Sequence, residues 1–237
     1  MNTETTLPLQ FDNTLCVNIA LPLPSHQARA LVPAGTPINL VEVFPGRAVL
    51  VISFSHYRES PFGDYTEAVI ALMATHERVI PVMTLARLTQ ESRYPGFVLH
   101  MFVSNPAAQQ VGAAWGLPRL LAAVQLQEQG STTRCTVRYE DRLVFSVIAD
   151  RPPTDRTREM QLETYSLHNG ELLHAVMPCN AQAYGRKQGE GAQVEWGNHP
   201  IGQRFIGTGI SPQPLMVRYY DQMHAELHAP EPCIIER

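Results

Sequence analysis

The chain has 237 residues, 44% of them apolar and 17% charged, which is enough apolar material for one sizeable core and too few charges for a disordered segment. A formal net charge of −4, with no local cluster of Lys and Arg to offset it, argues against nucleic acid and anionic membrane surfaces as partners. The opening MNTETTLPLQFDN has neither a basic start nor an apolar run, and nowhere does an uncharged apolar run reach the roughly 18 residues of a membrane span, so a cytoplasmic protein is expected.

Short apolar or alternating runs at 15–21, 48–54, 68–73, 96–103, 134–139, 143–149, 161–167 and 172–176 predict strands. Turn punctuation such as PFGD, RYPG, EQGS, RPPTD and HNGE separates them at the spacing of an antiparallel β protein. Helical patterns are fewer, at 25–32, 106–115 and about 202–207; the second opens with Asn105-Pro106, the order of an N-cap and a first-turn proline. Residues 180–196, which contain AYGRKQGEGAQ, predict a mobile flap. No repeat, low-complexity stretch or linker interrupts the pattern, so residues 1–237 are expected to form a single mainly β (α+β) domain.

The four cysteines, Cys16, Cys135, Cys179 and Cys233, form no CxxC pair, and read as small buried thiols rather than a zinc knot or a disulfide framework. No two histidines stand at helical ligand spacing with a third ligand nearby, so no metal is expected. His100, inside an apolar strand, and His199, before a proline, read as structural. No GxSxG elbow, P-loop or GxGxxG follows a strand, and no cofactor is expected. Lys187 is the single lysine, so any catalysis by a side-chain amine would have to use it. Its glycine-flanked surroundings are poorly suited to desolvating an ammonium, which favours a surface role.

Three segments carry a more specific signal. Phe62-Gly63-Asp64-Tyr65-Thr66-Glu67-Ala68 contains a glycine–x–tyrosine–threonine–glutamate turn. Leu99-His100-Met101 and Asn105-Pro106-Ala107 lead to Gly112-Ala113-Ala114-Trp115-Gly116-Leu117-Pro118-Arg119-Leu120-Leu121-Ala122. Trp196-Gly197-Asn198-His199-Pro200 precedes Ile206-Gly207-Thr208-Gly209-Ile210-Ser211 and Pro214-Leu215. In this order and spacing, over about residues 45–230, they resemble the acetoacetate decarboxylase family, whose middle segment ends in G-R-E-x-W-G-F-P-K-K-L. The resemblance implies a cone-like, largely antiparallel β-barrel with a few peripheral helices, commonly a homo-oligomer, with Glu67 pointing into the active site.

The departures bear on chemistry. In the family's decarboxylases a lysine after the WGFP proline forms a Schiff base with a β-keto acid, and a second lysine beside it depresses the first one's pKa. Those two places hold Arg119 and Leu120. A guanidinium stays protonated and cannot attack a carbonyl, so the imine route is closed at this position. The family's arginine and glutamate before the tryptophan are replaced by Ala113 and Ala114, which predicts a larger, more apolar cavity with Glu67 and Arg119 facing one another across it and Tyr65 and Trp115 in its walls.

Each candidate has a plainer alternative. Glu67 is either a buried general acid or base or a solvated charge after a turn. Arg119 either grips a substrate carboxylate or enolate bidentately or forms a structural ion pair. Tyr65 and Trp115 either line a ligand pocket or merely pack. His56, ahead of the PFGDYTE turn, either shuttles protons and contacts substrate or is a satisfied structural imidazole. The leading expectation is an enzyme of this superfamily acting on a small keto or carboxylic acid by non-covalent acid–base chemistry such as isomerisation, dehydration or cyclisation, as in secondary metabolism. The alternatives are a non-catalytic barrel that binds an apolar or aromatic acid, and a decarboxylase that works without lysine.

Overall fold

The computed structural model describes residues 7–151, 155–187 and 191–233. In chain order its elements are β1 Leu9–Pro24, α1 Ser25–Leu31, β2 Asn39–Leu40, β3 Glu42–Phe44, β4 Arg47–Glu59, β5 Tyr65–Thr75, α2 Met83–Gln90, β6 Arg93–Val103, α3 Pro106–Ala114, β7 Arg119–Leu121, β8 Ala123–Gln129, β9 Thr132–Tyr139, β10 Arg142–Asp150, β11 Asp155–His168, β12 Glu171–Lys187, β13 Ala192–Trp196, α4 Pro200–Gln203, β14 Met216–Leu227 and β15 Glu231–Pro232. Seven strands close into a barrel in the order β5-β4-β1-β14-β12-β11-β6, with β6 returning to pair with β5. Its pairings are antiparallel except β6 with β11, and the short β7 adds to β6 in parallel as well. Strands β13, β10, β9 and β8 make a second, antiparallel sheet. Among the described residues no helix is long and apolar enough to cross a membrane.

The strand period of two sorts the apolar residues into two cores. Along β4, Leu50, Ile52 and Phe54 turn outward, and Ala68, Ile70 and Leu72 of β5 share their face. They pack under the second sheet against Val137, Phe145 and Val147, with the Phe54 and Phe145 rings 5.4 Å apart. Fully burying each such side chain contributes about 1.5–3 kcal/mol. Tyr57 and Tyr65 sit in the opposite phase and belong to the second core, inside the barrel, with Phe11, Met101, Tyr220 and Met223.

All eight expected strands fall within observed ones, and α1 and α3 lie where the helical patterns put them. The flap expected at 180–196 is instead mostly strand. Ala181 and Ala183 are buried in alternation with exposed Gln182, and β12 runs on to Lys187 between β11 and β14. Glycine and polar residues disguised a strand whose inward positions hold only small side chains. Residues 188–190 of that stretch, and 152–154 of the expected RPPTD turn, lie outside the described residues. The helix expected near 202–207 begins earlier, at Pro200, where His199 Nδ1 accepts from the Ile201 N–H at 3.1 Å. It sits so tightly on β10 that a Cβ on Gly202 would come within 2.2 Å of the Val144 carbonyl oxygen.

Candidate active site

The site begins at the turn that feeds β5. Ser60 Oγ donates to the Gly63 carbonyl at 2.6 Å and accepts from the Phe62 N–H at 3.1 Å, and Gly63 adopts φ +80°, a conformation glycine takes without strain. Asn105 joins this turn to α3: its amide nitrogen donates to the Phe62 carbonyl at 3.0 Å, while its side-chain oxygen caps the helix by accepting from the N–H groups of Ala107 and Ala108. Thr66 fixes the next residue from the outer face, donating to the Val124 carbonyl at 2.7 Å. Strand alternation then sends Tyr65 and Glu67 into the barrel, where they share a face with Tyr57 and Ser55, their register partners on β4.

Arg119 enters from the other side. It opens β7 in register with Met101 of β6, and its side chain runs beneath α3, where a Cβ on Gly112 would lie 2.1 Å from Arg119 Cδ. Glycine at 112 is therefore what gives the arginine its path. The guanidinium donates through Nη1 to the Ala108 carbonyl at 2.6 Å and through Nε to Met101 Sδ at 3.0 Å. Its Nη2 lies 3.3 Å from Glu67 Oε2, with side-chain exposures of 4% and 6% for the pair.

Glu67 is thus a buried carboxylate with an incomplete set of partners. Tyr57 donates its hydroxyl proton to Oε1 at 3.2 Å, but Oε2, although close to Arg119, receives no well-aligned hydrogen bond. Burial pushes the Glu67 carboxyl up, and the Arg119 charge and the Tyr57 bond oppose this without cancelling it. Burial and the neighbouring Glu67 charge hold the phenols of Tyr57 and Tyr65 well above their ordinary values, so both remain proton donors at neutral pH. The two rings stack at 4.7 Å, and the Tyr65 hydroxyl is buried with no hydrogen-bond partner among the described residues. Thr14, opposite Tyr57 on β1, has a hydroxyl in the same condition.

The structure therefore brings Glu67, Arg119 and Tyr65 together, with Trp115 half-buried at the end of α3 against the same core. His56 does not join them. It is one residue out of phase with Tyr57, and its Nε2 lies 3.0–3.1 Å from the Asp64 carboxylate on the outer side. The enlarged cavity also fails to follow from the alanines, because Ala113 and Ala114 are exposed on α3 and Leu120 packs against the outer core. Glu67 and Arg119 touch rather than face each other across a gap. Lys187 stands at the last position of β12, opposite Met216, and His199 caps α4 as a structural residue. His100 packs beside Phe102 and Phe205, where burial, Arg204 and His199 hold its imidazole at about 4.

Three contributors escaped sequence reading: Tyr57 as a partner of Glu67, Met101 as a partner of Arg119, and Gly112 as the arginine's path. Tyr57 was findable, because it lies two residues from Ser55, the hairpin partner of Glu67, and so shares its face. The other two depend on β7 pairing with β6, for which three residues give no local signal.

No curated protein matches the chain in sequence. Its fold is similar to that of an acetoacetate decarboxylase from Legionella pneumophila, with a TM-score of 0.70 at 18% identity, covering 99% of this chain and 90% of that one. It is also similar to an acetoacetate decarboxylase-like enzyme from Sphingomonas wittichii RW1, with a TM-score of 0.64 at 13% identity over 97% and 94% of the two chains. A third likeness is to the enduracididine biosynthesis enzyme MppR complexed with the condensation product of pyruvate and imidazole 4-carboxaldehyde, with a TM-score of 0.64 at 12% identity over 96% and 90%. At such identities the likenesses speak for the fold, and it is the sequence profile of the family described as acetoacetate decarboxylase (ADC), matching residues 1–181, that settles kinship. The chain, with its closed barrel and its interior carboxylate, belongs to the acetoacetate decarboxylase family.

Proposed function

We propose that this protein is an enzyme that acts on a small keto or carboxylic acid by proton transfer at Glu67 and charge stabilisation by Arg119, without a covalent imine. The observation that carries this reading is the buried Glu67–Arg119 contact, in which Glu67 Oε2 and the neighbouring Tyr65 hydroxyl both lack hydrogen-bond partners among the described residues. Buried polar atoms left in this state are uncommon, and a bound acid or enolate would satisfy them. A desolvated carboxylate is a stronger base than one in water, so Glu67 is suited to take a proton from the carbon beside a carbonyl. Arg119 would hold the carboxylate or the developing enolate, and the Tyr65 phenol would donate to the same oxygens while Tyr57 stays bonded to Glu67. Proton movement of this kind serves enolisation, isomerisation, dehydration or cyclisation. That MppR is known in complex with pyruvate supports keto acids as the class to try first.

A second reading, a barrel that binds such an acid without turning it over, draws support from how closely the pair is sealed from solvent. Exchange of α-protons for deuterium in a panel of 2- and 3-keto acids, followed by NMR in D2O, separates the two. The expected result is catalysed exchange that Glu67→Gln slows on the order of 10²-fold while the acids still bind. Arg119→Leu should weaken the keto acids of that panel by about 1.5–3 kcal/mol and spare their neutral analogues. Binding with no exchange by the parent protein would leave the binding-only reading. Borohydride should trap no adduct, and acetoacetate should release no acetone above background; a trapped imine would overturn the proposal.

A further inference from the structure

The barrel wall is split at one place. Strand β6 pairs in parallel with β11 from Arg93 to Phe97 and with β7 from Met101 to Val103, so residues 98–100 have neither partner along that edge. A register shift on the opposite edge, where His100 pairs with Ile70 and Val98 with Ala71, leaves Leu99 as the extra residue of a bulge. Bulges bend a strand and often stand next to binding sites. Between Leu167 of β11 and Pro118 ahead of β7, the split opens onto a cavity of about 640 Å3 floored by Phe97, Val98 and Leu99. The last turn of α1 and the segment after it supply the facing wall, including Leu31 and Val32, and Arg204 beyond α4 stands at the rim.

The cavity's chemistry is one-sided. Among the described residues its only charged lining side chains are Arg29 and Arg204. Arg29 is fixed by donating to the carbonyls of Ile38 and Thr36, which leaves its charge uncancelled. Among the described residues neither guanidinium pairs with a carboxylate. Burial, and after it the charge of Arg204, hold the half-buried His100 imidazole below its ordinary value. None of Glu67, Arg119, Tyr65 and Trp115 lines this space.

We propose that the cavity at the barrel split is a second small-molecule site, separate from Glu67 and Arg119, that binds an apolar monocarboxylate with its carboxylate at Arg204 and Arg29 and its body on Phe97, Leu99 and Leu167. The volume lies within the range of small-ligand pockets, which combine apolar walls with a few convergent polar groups. A guanidinium matches a carboxylate with two parallel donors, and at the rim it can do so without full desolvation. The proposal does not depend on what reaction, if any, the barrel interior catalyses.

Calorimetric titration with 4-phenylbutanoate and its neutral amide tests it on the intact chain. The acid should bind roughly tenfold more tightly than the amide, the scale of a charge-assisted hydrogen bond. In Arg204→Gln, an exposed position whose change leaves the core untouched, that preference should disappear. Leu99→Trp should fill the cavity and abolish binding of both, and Arg119→Leu should leave both unchanged. Because Leu99→Trp risks misfolding, Arg204→Gln and Arg119→Leu, checked by circular dichroism, decide the matter. Absence of binding, equal affinity for acid and amide, or loss of the preference in Arg119→Leu but not in Arg204→Gln would each overturn the proposal.

Discussion

Two arginine–glutamate pairs in this molecule, each with a buried carboxylate, are built from the same side chains and tuned in opposite directions. At one end of the barrel, Arg93 meets Glu163 with two parallel bonds, Nε to Oε1 at 2.5 Å and Nη2 to Oε2 at 3.1 Å. Gln161 donates to the same carboxylate at 2.9 Å, and His174 lies 3.3 Å from it. Burial alone would raise Glu163, but the bonds from His174, Arg93 and Gln161, with the Arg93 charge, outweigh it and bring the carboxyl down to about 2. Inside the barrel, Arg119 meets Glu67 at a single 3.3 Å contact, and there burial wins. A charge becomes a structural fixture when every lone pair is answered, and remains available for chemistry when some are not.

The largest effect that would sharpen this contrast is on stability. A shift of Glu163 from the ordinary glutamate range to about 2 corresponds to about 3 kcal/mol at neutral pH. Because the folded-state value is depressed, that contribution is present above the ordinary carboxylate range and is lost as pH falls toward 2. Glu163→Gln should therefore lower urea-unfolding stability by about 3 kcal/mol at pH 7, with the gap to the parent closing in acid, and should leave keto-acid exchange unchanged. A pH-independent gap, or a kinetic defect, would remove the distinction between the two pairs.

A smaller effect is expected at Gly112. Alanine favours the helix by about 1 kcal/mol, yet its Cβ would collide with Arg119 mid-chain, where the guanidinium is pinned to Ala108 and Met101 and cannot swing freely. Gly112→Ala should change the unfolding free energy by no more than about 2 kcal/mol. It should also cost the keto acids about tenfold or more in affinity by displacing the arginine. Unaltered ligand binding would show that Arg119 does not need the path beneath α3.

Most of the barrel was legible because its strands alternate cleanly, as Leu50, Ile52 and Phe54 do against Tyr57. Strand β12 was hidden where its inward residues shrink to Ala181 and Ala183, and α2 and β14 came without any expectation at all. In the site, Glu67 and Tyr65 were legible through the turn motif shared with the family, and their common face follows from β5 starting already at Tyr65, where an i, i+2 pair must share a face. The same rule excludes His56, whose neighbours in sequence drew attention away from its phase. The wall lining was misjudged for a helical reason: Ala113 and Ala114 fall on the exposed side of α3, a face that a motif comparison cannot assign.

The central claim is that the Glu67 carboxyl is held in reserve by burial while its counterpart is locked in the charged form. Carboxyl ¹³C NMR titration of the parent protein, assigned with Glu67→Gln and Glu163→Gln, measures both directly. The account predicts that Glu67 titrates above the ordinary carboxylate range and Glu163 near about 2. A Glu67 resonance that titrates below that range, alongside Glu163, would make both pairs structural and contradict it.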